Sequence, residues 1–266
     1  MNQRNPKISI FLTVIMVLFV SIACTLTRPE FKVGPLQTES RSIELDGAEV
    51  IRTEIEIGAG ELDVNGGAAD LLQADFKYNV AELKPEVNYS DNKLSILTPE
   101  TEGMAAFWDL DDYENEWDLS FNDTVSMEMK IFLGAGRANL KVGDLTLTRL
   151  DIDTGAGEVN LDLQGSSALT RLTIETGVGA VTVDLTGDWQ TNLDADIQAG
   201  VSDLTLLLPQ AACIRIEVEG GISNTNTTGL TKDGDVYINP ACDQSDVTLR
   251  IDINAGIGNI NLNMDN

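Results

Sequence analysis

A chain of 266 residues that sets 17 Lys and Arg against 43 Asp and Glu carries a formal charge of −26, and it contains no histidine. The missing imidazole excludes Ser/His/Asp and Cys/His nucleophile systems and His-based zinc sites, and the negative field repels nucleic acid and bare anionic membrane. Such a surface is first of all soluble and non-sticking, although it also attracts divalent cations and basic partners.

At the N-terminus Arg4 and Lys7 precede an apolar run over residues 8–23 that stops at Cys24, the layout of an export signal. Ser21-Ile22-Ala23-Cys24 resembles the lipobox at which bacterial lipoproteins are cut and the new N-terminal cysteine is acylated, with Ser21 an atypical residue at its first place. Ordinary signal cleavage and an uncleaved anchor helix are the competing readings, and the run of 16 residues falls short of the roughly 20 that span a bilayer. Removing residues 1–23 removes Arg4 and Lys7 and no acid, so the charge goes from −26 to −28. Residues 24–42, with two prolines and a glycine, read as a tether.

One short pattern then recurs, Gly-x-Gly/Ser-x followed by alternating apolar residues. Its glycine places are Gly58 and Gly60, Gly134 and Gly136, Gly155 and Gly157, Gly177 and Gly179, Gly200, Gly221, and Gly256 and Gly258. From Gly134 to Gly221 the copies follow at steps of 21, 22, 23 and 21 residues, the self-similarity of a repeat protein. Each copy is preceded by a period-two run, such as Leu150 and Ile152 inward with Asp151 and Asp153 outward, so the unit predicted is strand, glycine corner, strand. A corner needs positive φ or close backbone approach, which glycine supplies at least cost. A single unit buries too little apolar surface to offset its own ordering, and is stable only when stacked.

A meander of hairpins with three-residue glycine loops fits the same spacing. Equivalent places favour stacked rungs. The inward residues Leu62, Ala138, Val159, Val181, Leu204, Thr225 and Ile260 are each followed by an outward one, giving the column Asp63, Asn139, Asn160, Thr182, Thr205, Asn226, Asn261. Asn and Thr in register hydrogen-bond to their own kind across the rung spacing, whereas a meander has no reason to repeat them. Arg137 and Glu158 are equivalents in adjacent copies and are expected to pair. The fold class predicted is all-β, a solenoid-like stack of two-strand rungs with Gly-x-Gly corners and a more irregular β N-terminal portion. The divisions are 1–23 signal, 24–42 tether, 43–125 N-terminal β domain and 126–266 repeat domain.

The interval between Gly60 and Gly134 holds Phe76, Tyr78 and Val80, then Leu94, Ile96 and Leu97, then an acidic aromatic stretch over 107–121. Trp108, Tyr113 and Trp117 most simply cover the open end of the stack; stacking on a carbohydrate is the sharper alternative. Asp109, Asp111, Asp112, Glu114 and Glu116 offer oxygen ligands to Ca²⁺, without the mid-loop glycine of an EF-hand, and a solvated acidic loop is the plainer reading. Asp151 with Asp153, and Asp194 with Asp196, have the residue types of glycoside hydrolysis, at outward places where any acidic stack scatters such pairs.

Between Gly221 and Gly256 the interval grows to 35 residues, so an insertion belongs there. Cys213 and Cys242 flank it and are a disulfide candidate in an exported chain, with two buried free thiols as the alternative. Thr225 and Thr227 stand where other copies are apolar, which marks this rung as the weakest.

The segment IRTEIEIGAGELDVNGG at residues 51–67, with LLQADFKYNVAELKPEVNYS after it and NEWDLSFNDTVSMEMKIFLGAGRANL further on, resembles the toast-rack family of bacterial envelope proteins over most of residues 43–266. The resemblance implies stacked β rungs and an envelope address; the wider relatives that the chain resembles include candidate adhesins and the C-terminal region of cell-wall-stress response proteins. It brings no catalytic or binding residues to carry over, and no cofactor pattern is present. The sequence therefore points to a non-enzymatic, lipid-anchored adhesion or interaction module. A regulatory partner in envelope stress response comes next, and a carbohydrate-binding or carbohydrate-active β-helix third. The partners expected are the membrane, through a lipid on Cys24, and an envelope protein or glycan.

Overall fold

The computed structural model describes residues 32–99 and 112–265. The export signal, Cys24, Trp108, Asp109 and Asp111 lie outside the described residues. The strands are β1 (Gln37–Ile43), β2 (Val50–Asn65), β3 (Leu72–Tyr78), β4 (Glu86–Ser90), β5 (Lys93–Leu97), β6 (Asn115–Phe121) and β7 (Ser126–Lys141). They continue as β8 (Leu147–Asp162), β9 (Arg171–Asp184), β10 (Leu193–Leu208), β11 (Cys213–Thr228), β12 (Thr231–Asp233), β13 (Val236–Ile238) and β14 (Thr248–Met264).

Seven of these strands, β2, β7, β8, β9, β10, β14 and β11, carry the glycine motif near their middle and lie side by side in parallel register. Each rung is one long strand with two limbs. In β8, past the irregularity after buried Leu147, the buried residues are Leu150, Ile152 and Thr154 before the glycines but Val159 and Leu161 after them. That switch of parity means the chain turns at the corner, so both limbs bury their side chains in one core. The loops that return to the next rung close the third side, with Val142 and Leu145, Leu163 and Leu169, and Leu185 and Trp189 buried. A single apolar cluster runs from Ile51 in β2 to Leu262 in β14, across residue 125.

The corners hold glycine for two reasons. At the second place Gly136, Gly157 and Gly179 have φ of +130°, +152° and +146°, a region that L side chains avoid. At both places the backbones of adjacent rungs nearly touch: a β-carbon on Gly155 or on Gly157 would overlap the carbonyl oxygen of Gly134 or Gly136 on the rung before. In β11, where Ser223 stands at the second place, the positive φ falls on Gly220, at +149°.

At the head of the stack the limbs of β2 acquire separate neighbours. β5 pairs in parallel with the first limb and is closed by antiparallel β4; β6 pairs with the second limb and is followed by antiparallel β3 and β1. The irregular N-terminal portion is therefore two small sheets, each continuing one limb.

At the far end the rungs do not follow chain order. β14, the last strand in sequence, lies between β10 and β11, and the outer edge of β11 pairs along Arg215–Glu217 with antiparallel β13. Burial explains the exchange. Ile260 and Leu262 of β14 are 1% and 0% exposed, whereas their register partners in β11 are Thr225 and Thr227. An apolar limb fits between two rungs, and a hydroxyl-bearing limb is stable at an end where water reaches it.

Cys213 and Cys242 form a disulfide that ties the start of β11 to the turn at 240–243 leading into β14. Beside it buried Asn239 donates from Nδ2 to Ala212 O and accepts from the Ile214 N–H, both at 2.9 Å. The bridge spans 29 residues, so Cys213→Ser with Cys242→Ser is expected to lower stability by about 3–4 kcal/mol on the chain-entropy scale. Equal denaturation midpoints for the double variant and the oxidised parent would contradict this.

Candidate interaction surface

The outward column of the second limb is a hydrogen-bonded ladder. Asn139 donates to Asp63 Oδ1 at 2.9 Å and Asn160 to Asn139 Oδ1 at 3.3 Å. Beyond Thr182 and Thr205, Asn261 reaches Thr205 Oγ1 at 3.5 Å and Asn226 donates to Asn261 Oδ1 at 3.0 Å. Arg137 sits between Glu61 and Glu158, at 3.6 and 3.3 Å, half-exposed and so worth little to stability. Hydrogen bonds from Asn160 and from Arg137 hold the Glu158 carboxyl below the usual carboxylate range.

Toward the head the same column becomes acidic, with Asp63, Asp118 and Asp75 on successive strands. A shallow groove of about 490 Å³ runs along this face past Asp63, Asn139, Asn160, Asp162 and Asp184. Burial works against the charge on Asp184, but hydrogen bonds from Thr186 Oγ1 and Gln164 Nε2, at 2.6 and 2.8 Å, and from the Thr186 N–H outweigh it and hold the carboxyl below its ordinary range.

The acidic aromatic stretch does not form a ligand cradle among the described residues. Trp117 is 1% exposed, packs edge-on to Phe76 with ring centroids 5.5 Å apart, and donates its indole N–H to Asn115 Oδ1 at 2.9 Å. It has no face to offer a sugar. The Tyr113 hydroxyl donates to Ala59 O at 2.9 Å, and burial pushes its pKa up to about 12. Of the Ca²⁺ candidates, Glu116 pairs with Lys77 at 2.9 Å and raises its pKa, while Asp112 and Glu114 use backbone groups to bind Asn79. Among the described residues no three Asp, Glu or Cys side chains are grouped to hold a metal ion. Asp151 is paired with Arg149 at 2.8 Å, and Asp153, Asp194 and Asp196 stand on the outward face.

Two further surfaces stand out in the register. Along the corner Val178, Val201 and Ile257 are stacked, 53%, 50% and 54% exposed. On the first limb the place six residues before the first glycine of each copy forms a column: Arg52, Glu128, Arg149, Arg171, then Asp194, Arg250 and Arg215, with Lys93 of β5 beside Arg52. Six of the 17 Lys and Arg of the chain are therefore in one column. Extending the comparison of repeats to that place reveals it in the sequence.

The model of the N-terminal domain of toast_rack, DUF2154, matches residues 32–168 and 166–207. The chain belongs to the toast-rack family. No curated protein matches it. Among solved structures this toast-rack chain is similar to a candidate cell adhesion protein from Clostridium sporogenes ATCC 15579, with 25% identity and a TM-score of 0.67 over 87% of this chain and 100% of that one. A candidate adhesin from Bacteroides fragilis NCTC 9343 aligns at 10% identity and a TM-score of 0.36, over 86% of this chain and 97% of that one.

Proposed function

We propose that this toast-rack protein is a non-enzymatic adhesion module of the bacterial envelope, exported by residues 1–23 and held at the membrane by a lipid on Cys24. The observation that carries the reading is the likeness to the candidate cell adhesion protein of C. sporogenes along the whole of that chain. The surface chemistry agrees with it. Polar and charged residues repeat in columns, so a ligand meets the same groups rung after rung and many weak contacts add. β1, the first strand after the tether, and the terminal rung β11 lie toward opposite ends of the strand order, which suits a module anchored at its N-terminus.

The test is display of the full chain on a non-adherent host cell, with retention on abiotic and cell-coated surfaces measured under flow. Increased retention is expected, and it should fall when Cys24→Ala prevents acylation and the chain is shed. Equal retention of displaying and non-displaying cells, with surface exposure verified by antibody, would overturn the reading.

A further inference from the structure

We propose that the stacked cations of the first limb bind a linear polyanion laid along the stack axis, a polymer bearing carboxylate, sulfate or phosphate groups. The proposal deepens the adhesion reading by naming its ligand class. It starts from an electrostatic anomaly. In a chain of net charge −26, Arg149 of β8 and Arg171 of β9 are direct register neighbours, and so are Arg250 of β14 and Arg215 of β11. Adjacent strands are about 4.8 Å apart, and like charges directly opposite one another are unfavourable.

Ion pairing within the protein removes only part of that repulsion. Arg52 pairs with Glu128 at 3.0 Å, Arg149 with Asp151 at 2.8 Å and Arg250 with Asp252 at 3.4 Å. These pairs are exposed, and such pairs are held by about 1 kcal/mol or less, so a polyanion can compete for the guanidinium groups. Among the described residues Arg171 and Arg215 have no ion pair at all. An anionic group seated between two stacked guanidinium groups screens their repulsion and accepts bidentate hydrogen bonds from each.

The borders of the column set the ligand's path. The next outward column is acidic on balance, with Glu54, Asp151, Asp196, Asp252 and Glu217 against Lys130 and with Thr173 at the place beside Arg171, and it turns an anion away. On the other side Thr148 and Thr170 directly precede Arg149 and Arg171, and Asn192 lies two residues before Asp194. That border is uncharged, and the long arginine side chains can lean over it. Glu128, between Arg52 and Arg149, and Asp194, between Arg171 and Arg250, interrupt the column, so a polyanion parallel to the stack engages it at the two pairs Arg149–Arg171 and Arg250–Arg215.

The test measures binding of the full chain in detergent to three immobilised probes, heparin, polygalacturonate and inorganic polyphosphate, with neutral dextran as blank. At least one probe is expected to bind at low salt: polygalacturonate reports carboxylate, polyphosphate reports phosphate, and heparin without polygalacturonate reports sulfate. Four counter-ion-releasing contacts should weaken binding about a hundredfold between about 50 and about 200 mM salt. The variant R149Q/R171Q/R215Q/R250Q should lose at least about tenfold in affinity. The control K77Q/K84Q/K141Q/K232Q, which changes net charge equally outside the column, should bind like the parent.

Thermal melts of both variants verify folding. Absence of binding to all three probes, or equal loss in the two variants, would overturn the proposal. If the parent binds a probe through the column but displaying cells are not retained under flow, the adhesion reading fails and the column stands. If cells carrying the column variant are retained like the parent, the column fails and adhesion stands.

Discussion

Gly157→Ala is expected to destabilise the protein by about 3–4 kcal/mol, against about 1 kcal/mol for Gly165→Ala. Both glycines have positive φ, +152° and +68°, so both substitutions incur backbone strain. They differ in what a β-carbon meets: at Gly165 nothing lies within 4 Å, whereas at Gly157 it overlaps the Gly136 carbonyl of the neighbouring rung. A carbonyl in a β ladder cannot swing aside without breaking the ladder, so the rungs must separate at the corner and the core on both limbs loosens. For a domain of this size the difference corresponds to roughly 5–10 °C in melting temperature. Equal melting temperatures for the two variants would show that the corner yields.

Trp117→Ala is expected to cost about 3–5 kcal/mol, the range for truncating a large buried aromatic. The side chain is 1% exposed and lies edge-on to Phe76. It also satisfies Asn115 Oδ1, whose residue reaches back to Ala59 O at 2.7 Å beside the first corner. Removal leaves a cavity and an unpaired acceptor together at the place where β6 joins β2. A surface tryptophan that stacks on sugars would behave oppositely, with stability unchanged. Chemical denaturation decides between the two, and a loss below about 1 kcal/mol would contradict the buried role.

Much of the rung structure was legible because its physical cause is periodic. The column Asp63, Asn139, Asn160, Thr182, Thr205 is in register in the fold as the spacing of the copies implies. Chain spacing is silent on which rung lies next to which, so the place of β14 between β10 and β11 was not. The threonines at 225 and 227 were its trace in the sequence: they read as a weak rung, and the fold makes that rung the terminal one. Trp117 belongs to the alternation Asn115, Trp117, Leu119, Phe121, all buried. Its place covering the head of the stack is the simpler of the two sequence readings, and the acids Glu116 and Asp118 alternate with it on the outward face of β6. The arginine column is masked in the sequence because each of its members lies near an acid along the chain, whereas its like-charge neighbours lie across strands.

Cross-linking of paired cysteines tests the rung order on which the core, the terminal position of β11 and the arginine column all depend. Thr205 and Asn261 are register partners on β10 and β14, and Asn226 is the partner of Asn261 on β11. Neighbouring rungs, about 4.8 Å apart, are within disulfide reach, and rungs two apart are not. Under mild oxidation with peptide mapping, T205C/N261C and N226C/N261C should form the new bridge and T205C/N226C should not. A bridge in T205C/N226C with none in T205C/N261C would put β11 directly on β10 and contradict the inserted rung.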